Sequence, residues 1–212
     1  MNSVLRYVAL GAVLLATLLS VSACFPLMAG GVVMTGFVAV DRRTSGAMLE
    51  DQAIEVKTST RIRDVLGERV HITVTSYNRK LLLTGEAPDA KDKEQAGEIA
   101  KNIDNVASVW NEVGVTSITT LTERTNDLVA AGRIKADLID AKDLFSNAYK
   151  IVVERGAVYV MGRITAREAK RVASVISGVT GVKKVVLVHE TITEDELANL
   201  NAKPAHYCAW PR

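Results

Sequence analysis

The chain contains one pattern twice: Ile72-Thr-Val-Thr-Ser-Tyr-Asn-Arg-Lys-Leu-Leu-Leu-Thr-Gly85 is answered, 77 residues later, by Tyr149-Lys-Ile-Val-Val-Glu-Arg-Gly-Ala-Val-Tyr-Val-Met-Gly162. In each copy two apolar runs flank a short polar turn and end on a glycine, the pattern of a β-hairpin. A charged segment follows with apolar residues at helical spacing, Ala96/Ile99/Ala100/Ile103 in one copy and Ala169/Val172/Ala173/Ile176 in the other, and then a valine-rich strand. Such a chain folds as two copies of one small unit, not as a single large domain.

The order in each half is α-β-β-α-β, an α+β class in which helices pack on a small three-stranded mixed sheet. The first unit, residues 51–117, is expected to open with a helix near Ala53 to Leu66. Strands Val70–Tyr77 and Lys80–Gly85 follow, joined at Asn78-Arg79, where Asn tolerates the positive φ of a tight turn. Pro88 and Asp89 start a helix to about Ile103, and a strand runs near Ser108–Thr116. Residues 118–124 form a linker short enough that the two units should touch. In the second unit, residues 125–192, Thr125, Asn126 and Asp127 offer cap oxygens for a helix to about Ile139. Strands Tyr149–Glu154 and Ala157–Met161 flank Arg155-Gly156. A helix over Thr165–Ser177 carries a capping box, Thr165 with Glu168, and a strand spans Lys183–Ile192. Residues 193–212 form a tail, in which Thr193 to Glu196 could cap a short helix to about Asn201.

A formal charge of only +2 over 212 residues argues against a nucleic-acid binder. The charge is unevenly shared. Residues 51–117 hold 9 Lys/Arg against 11 Asp/Glu, and residues 125–192 hold 11 against 7, so the second unit is the better candidate for an anionic partner. No Ser/His/Asp, Cys/His or metal-ligand spacing and no phosphate-binding glycine loop is present, which argues against an enzyme. His71 and His189 lack a second ligand at metal spacing and read as solvated or core histidines. Gly85 and Gly162 read as structural: a Cβ there would clash with a crossing helix or require a strained backbone. Lys183-Lys184 and Arg167/Lys170/Arg171 read as a solvated face that could extend a basic surface.

Residues 1–23 have Arg6, an apolar run from Tyr7 to Leu19 and small residues at Ser20, Ser22 and Ala23, an export-signal pattern. A second apolar stretch, Phe25 to Val40, leaves a transmembrane anchor as the alternative, although Pro26, Gly30, Gly31 and Gly36 suit one continuous helix poorly. Val21-Ser22-Ala23-Cys24 resembles the lipobox of bacterial lipoproteins, in which the cysteine becomes acylated. Three acyl chains at ~0.8 kcal/mol per buried methylene would hold a protein on a membrane essentially permanently. By the sorting rule of Gram-negative lipoproteins, Phe25 in place of Asp implies export to the outer membrane. Residues 24–50 then form a lipidated tether. Cys208 is left as a harmless tail residue or as one half of an intermolecular disulfide.

Two α-β-β-α-β units behind a lipobox resemble the BON domain family, specifically its dual-domain outer-membrane lipoproteins. The motifs that carry the match are Ile72-Thr-Val-Thr-Ser-Tyr77, Leu81-Leu-Leu-Thr-Gly85, Val158-Tyr-Val-Met-Gly162, Thr165-Ala-Arg-Glu-Ala-Lys170 and Ser174-Val-Ile-Ser-Gly-Val-Thr-Gly-Val-Lys183. The resemblance implies a non-enzymatic lipoprotein of the outer membrane, facing the periplasm and associated with division, envelope stress and lipid binding. It is expected to act as a monomer, without cofactor beyond acyl chains on Cys24. It implies binding of anionic phospholipid through the first helix of the second unit, in support of outer-membrane integrity.

In that helix Ala131, Ile134, Leu138 and Ala141 are expected to face the sheet, leaving Leu128, Val129, Gly132, Arg133 and Ala136 on other faces. Leu128 and Val129 beside Arg133 and Lys135 suit a shallow membrane wedge, or they pack against the first unit. The aromatic anchor often expected in this family's helix is replaced by Val129. The alternative function is a periplasmic adaptor for outer-membrane protein assembly or division-site wall remodelling.

Overall fold

A computed structural model of the chain describes residues 41–202, with side chains to 200. The signal-like residues 1–23, Cys24, Phe25, the tether to residue 40 and Cys208 lie outside the described residues. Among the described residues no helix is long and apolar enough to cross a membrane.

Helix α1 (Ser45–Leu66) opens the first unit, with the Thr44 hydroxyl accepting from the Ala47 N–H at 3.1 Å. It begins at Ser45, not near Ala53, so residues read as tether are already helical. Asp51, Ile54, Thr58, Ile62 and Leu66 are its buried residues, spaced at three and four along one face. Strands β1 (His71–Tyr77) and β2 (Lys80–Ala87) pair antiparallel around Asn78 and Arg79, whose φ of 51° and 65° makes the left-handed turn that matches strand twist. Helix α2 (Ala90–Lys101) is capped by Asp89. The last strand, expected to be continuous, is broken at Glu112-Val113 into β3 (Ser108–Asn111) and β4 (Gly114–Val115), both parallel to β2.

The second unit repeats this plan with α3 (Leu121–Asp140), a 3₁₀ turn (Ser146–Ala148), β5 (Tyr149–Glu154), β6 (Ala157–Thr165), α4 (Ala166–Ser177) and β7 (Lys184–Ile192). Strand β6 lies between β5, antiparallel, and β7, parallel. Helix α5 (Glu194–Ala202) follows, its entry fixed by reciprocal bonds between Thr193 and Glu196. Helix α3 starts at Leu121, well before Asp127, because Thr120 and Glu123 form a capping box. Residues 121–124, expected to end the linker, are therefore already helical. Asp127 serves another purpose. Its carboxylate accepts from the Arg155 N–H at 2.7 Å and the Gly156 N–H at 2.9 Å, holding the β5–β6 turn. Asp51 does the same in the first unit, accepting from the Asn78 and Arg79 N–H groups at 2.7 Å each.

The runs Leu81-Leu82-Leu83 and Val158-Tyr159-Val160-Met161 are apolar on both faces because each central strand is covered on both. Leu81 and Leu83 enter the core under α1 and α2, and Val158 and Val160 the core under α3 and α4. Leu82, Tyr159 and Met161 point the other way, and with Tyr77 and Val188 they form a third core between the two sheets. Asn78 Nδ2 donates to Glu190 at 2.7 Å and Lys150 Nζ to Glu55 at 2.6 Å across the same junction. All three cores lie between Ile54 and Val188. A chain starting at Ala39, where the main compact unit begins, thus keeps every side chain of these three cores.

Gly85 has φ +103°, and a Cβ there would stand 2.0 Å from the His71 carbonyl oxygen. At Gly162 a Cβ would stand 2.9 Å from the Ala148 carbonyl oxygen. Of the two readings, the strained backbone holds at Gly85, and in both units the close obstacle to a side chain is the backbone at the entry of the neighbouring strand, not a crossing helix.

Candidate functional site

Helix α3 buries Ala130, Ile134 and Leu138, one residue per turn, with Ile134 and Leu138 in the core on the second sheet and Ala130 beside Gly181. Ala131, expected in that row, is only half-buried; Ala130 takes its place. The opposite face is apolar and uncovered: Leu121 is 81% exposed, Leu128 73%, Ile139 59% and Val129 47%, so the first unit does not pack over Leu128 or Val129. Gly132 and Ala136 are also exposed. At 3.6 residues per turn Leu121, Thr125, Leu128, Gly132, Ala136 and Ile139 fall in one stripe ~27 Å long, apolar but for the Thr125 hydroxyl, with Val129 and Arg133 along one side and Lys135 along the other. Sequence reading missed both ends of this stripe. The Thr120-x-x-Glu123 box was the signal that would have brought Leu121 into the helix.

The two expected cations differ. Lys135 Nζ donates to the Ser146 carbonyl and to Asn147 Oδ1, each at 3.0 Å, and so is drawn toward the 3₁₀ turn. Arg133 is exposed and lies on the lip of a cleft with Arg155 and Lys183. Much of the remaining basic surface is neutralised: Arg171 pairs with Asp143 at 2.9 Å, Arg167 with Glu194 at 3.5 Å and Lys184 with Glu112 at 3.9 Å. The Arg171 partnership, with its hydrogen bond, also draws Asp143 below its ordinary value.

Neither histidine sits in a ligand cluster, and among the described residues no group of three or more His, Cys, Asp or Glu could hold a metal ion. His71 Nδ1 lies 3.4 Å from the fully buried Glu86, and His189 Nε2 lies 3.2 Å from the Thr191 hydroxyl. Burial pushes His189 below its ordinary value, which favours the neutral ring.

A second charged constellation escaped the sequence reading. Arg42 is buried in the second unit, donating to both carboxylate oxygens of Glu168 at 2.8 and 2.7 Å and to the Arg163 carbonyl at 2.7 Å. Its neighbour Arg43 turns to the first unit, bonding Asp41 and Asp51 and stacking 4.2 Å over the Tyr77 ring. Nothing in the spacing of Asp41-Arg42-Arg43 distinguishes it from a solvated linker, because its partners lie more than a hundred residues away in Glu168 and Arg163.

The sequence profile of the BON domain matches residues 50–117 and 126–188. Over 179 residues the chain is 27% identical to a Haemophilus influenzae protein named outer membrane lipoprotein DolP, covering 84% of this chain and 93% of that one. Over 151 residues it is 28% identical to a protein of Actinobacillus pleuropneumoniae named 21 kDa hemolysin, covering 70% of this chain and 78% of that one. A solved structure of CdsD, a structural protein of the type III secretion system of Chlamydia trachomatis, aligns with 69% of this chain and 98% of its own at 15% identity, but its TM-score of 0.29 is too low to bear on fold or function.

Proposed function

The chain belongs to the BON-domain family, and from that premise we propose that it is a lipoprotein held in the outer membrane by acyl chains on Cys24, facing the periplasm, whose second domain binds anionic phospholipid and so helps maintain outer-membrane integrity. BON domains are non-catalytic modules, in keeping with a binding role and not an enzymatic one. The DolP relative, an outer-membrane lipoprotein by name and aligned over most of both chains, supports the location.

The observation that carries the reading is the uncovered stripe of α3. Fully burying one Leu or Ile side chain is worth about 1.5–3 kcal/mol. A helix that leaves Leu121, Leu128 and Ile139 more than half exposed has that much to gain from an acyl boundary. Its shape suits an interfacial helix, which lies in the membrane plane with its apolar face sunk about 5–10 Å. Arg133 at the edge would meet phosphates, adding about 1 kcal/mol at an anionic surface.

Flotation of the 39–212 chain with vesicles tests this. Binding should be stronger to phosphatidylglycerol-containing vesicles than to phosphatidylcholine alone, should weaken with salt, and should fall severalfold for Arg133→Glu. If the chain floats with neither vesicle, the membrane reading is wrong and the exposed stripe is a surface for a protein partner.

A further inference from the structure

Beside the stripe, the first half of α3 forms one wall of a cleft of about 380 Å³, closed by the β5–β6 turn and by Thr180, Gly181 and Lys183. That volume lies within the ~300–1,000 Å³ of small-molecule sites. Arg133, Arg155 and Lys183 line it, together with the carboxylates of Glu123 and Asp127. Both carboxylates are already engaged. Asp127 holds the Arg155 and Gly156 N–H groups, and Glu123 accepts from the Thr120 N–H at 2.9 Å and the Thr120 hydroxyl at 2.7 Å. The cations have no such partners: among the described residues none of the three forms an ion pair.

Two glycines shape the cleft. Gly156, at φ +77°, lets the turn approach so closely that a Cβ would stand 3.0 Å from the Gly181 carbonyl, and Gly181 itself has φ +100°. The result is a concave wall of backbone with cations around it. Guanidinium forks match phosphate oxygens in geometry as well as charge. Val129 belongs both to this cleft and to the exposed apolar edge of α3, so an anion held here lies one side chain from the acyl boundary.

The geometry points to the cleft as the seat of the phosphodiester headgroup of an anionic lipid whose acyl region meets the α3 stripe, an inference that rests on the membrane reading of α3. The first domain offers a contrast. Its cleft between α1 and Asn102–Asp104 sets Lys57 and Arg61 against Asp64 and Asp104, a balanced set that does not favour an anion.

Amide NMR on the 39–212 chain separates cleft from stripe. Glycerol 3-phosphate, a soluble headgroup analogue, should shift Arg155, Gly156 and Gly181 and leave Asn102–Asp104 unmoved. Arg155→Gln with Lys183→Gln should abolish those shifts and reduce the preference for phosphatidylglycerol over phosphatidylcholine vesicles by about tenfold or more, while binding to phosphatidylcholine stays as it was. Leu128→Asp should do the reverse, removing vesicle binding and sparing the glycerol phosphate shifts. Absent or unlocalised shifts would overturn the assignment, as would an undiminished lipid preference in the double variant. If inorganic phosphate and glycerol phosphate both shift the cleft but the double variant keeps its lipid preference, the cleft takes a soluble anion and the lipid assignment falls. If the wild-type chain binds no vesicles at all, the stripe reading fails and the lipid assignment with it, whatever the soluble analogue does.

Discussion

The Arg42 guanidinium meets the Glu168 carboxylate through two bonds of 2.7 and 2.8 Å, with both side chains 1% exposed or less. Glu168 also closes the capping box of α4, accepting from the Thr165 N–H at 3.1 Å. One carboxylate therefore caps a helix in the second domain and fastens the segment that leads into the first. The adjacent Arg43 fastens the same segment to Asp51, the residue that organises the β1–β2 turn. Two consecutive arginines thus tie the segment before α1 to both domains.

Removing one partner of a buried pair leaves the other charged and desolvated. Arg42→Ala should destabilise the fold by about 3–5 kcal/mol, and adding Glu168→Gln should recover part of it. Burial alone would raise the Glu168 carboxyl, but Arg42 and the Thr165 N–H hold it below its ordinary 4.5. Its stabilising effect is therefore complete above pH 4.5 and fades as pH falls through the lowered value. Denaturant melts between pH 3 and 7 should show an acid-side loss in the wild type that is smaller in Arg42→Ala. Equal melts would mean that the pair is dispensable.

Glu154 behaves in the opposite sense. Burial, then the nearby charges of Glu86 and Asp127, pushes it up to about 7. Between pH 4.5 and 7 the folded chain keeps a proton that the unfolded chain releases, so stability falls as pH rises through that window. At ~1.4 kcal/mol per pKa unit the effect is bounded at about 3 kcal/mol. Glu154→Gln should raise the melting temperature at pH 8 and change it little at pH 4. A variant that melts like the wild type at pH 8 would show that the carboxylate is well solvated there.

Gly85 and Gly162 occupy matching places but are unequally constrained. At Gly85 both the positive φ and the His71 carbonyl oppose a side chain, whereas at Gly162 only the Ala148 carbonyl and the Ile164 side chain stand in the way. Each Gly→Val change should cost more than about 1 kcal/mol, with Gly85→Val the worse of the two. Thermal scans that rank them the other way would mean that the backbone at Gly162 yields less than that at Gly85.

Much of this fold was legible because local rules and global packing agree. Both turns, the Thr165/Glu168 box and the two-unit order follow from turn chemistry and hydrophobic period. The early starts of α1 and α3 were not read, because approximate apolar stripes do not mark helix ends and the Thr120/Glu123 box lay within a stretch that looked like linker. The Arg42–Glu168 pair was beyond reach. A salt bridge spanning 126 residues leaves no periodic trace, and only the fold brings its two ends together.

The proposed anchor depends on a single atom, the Cys24 sulfur. Cys24→Ser in the full chain should leave an uncleaved or soluble precursor without radiolabelled acyl chains, and Phe25→Asp should shift the protein toward the inner membrane. A Cys24→Ser protein that still fractionates with the outer membrane at unchanged mass would contradict lipidation.

The central claim is that the apolar face of α3 enters a lipid surface. The most direct measurement is partitioning of the 39–212 chain onto phosphatidylglycerol vesicles for wild type, Leu128→Asp and Val56→Asp, which puts the same charge on the exposed face of α1, where Val56 is 61% exposed. Leu128→Asp should abolish partitioning at unchanged thermal stability, while Val56→Asp leaves it within about twofold of wild type. Equal losses in the two variants, or a Leu128→Asp chain that binds as well as wild type, would contradict a wedge on α3.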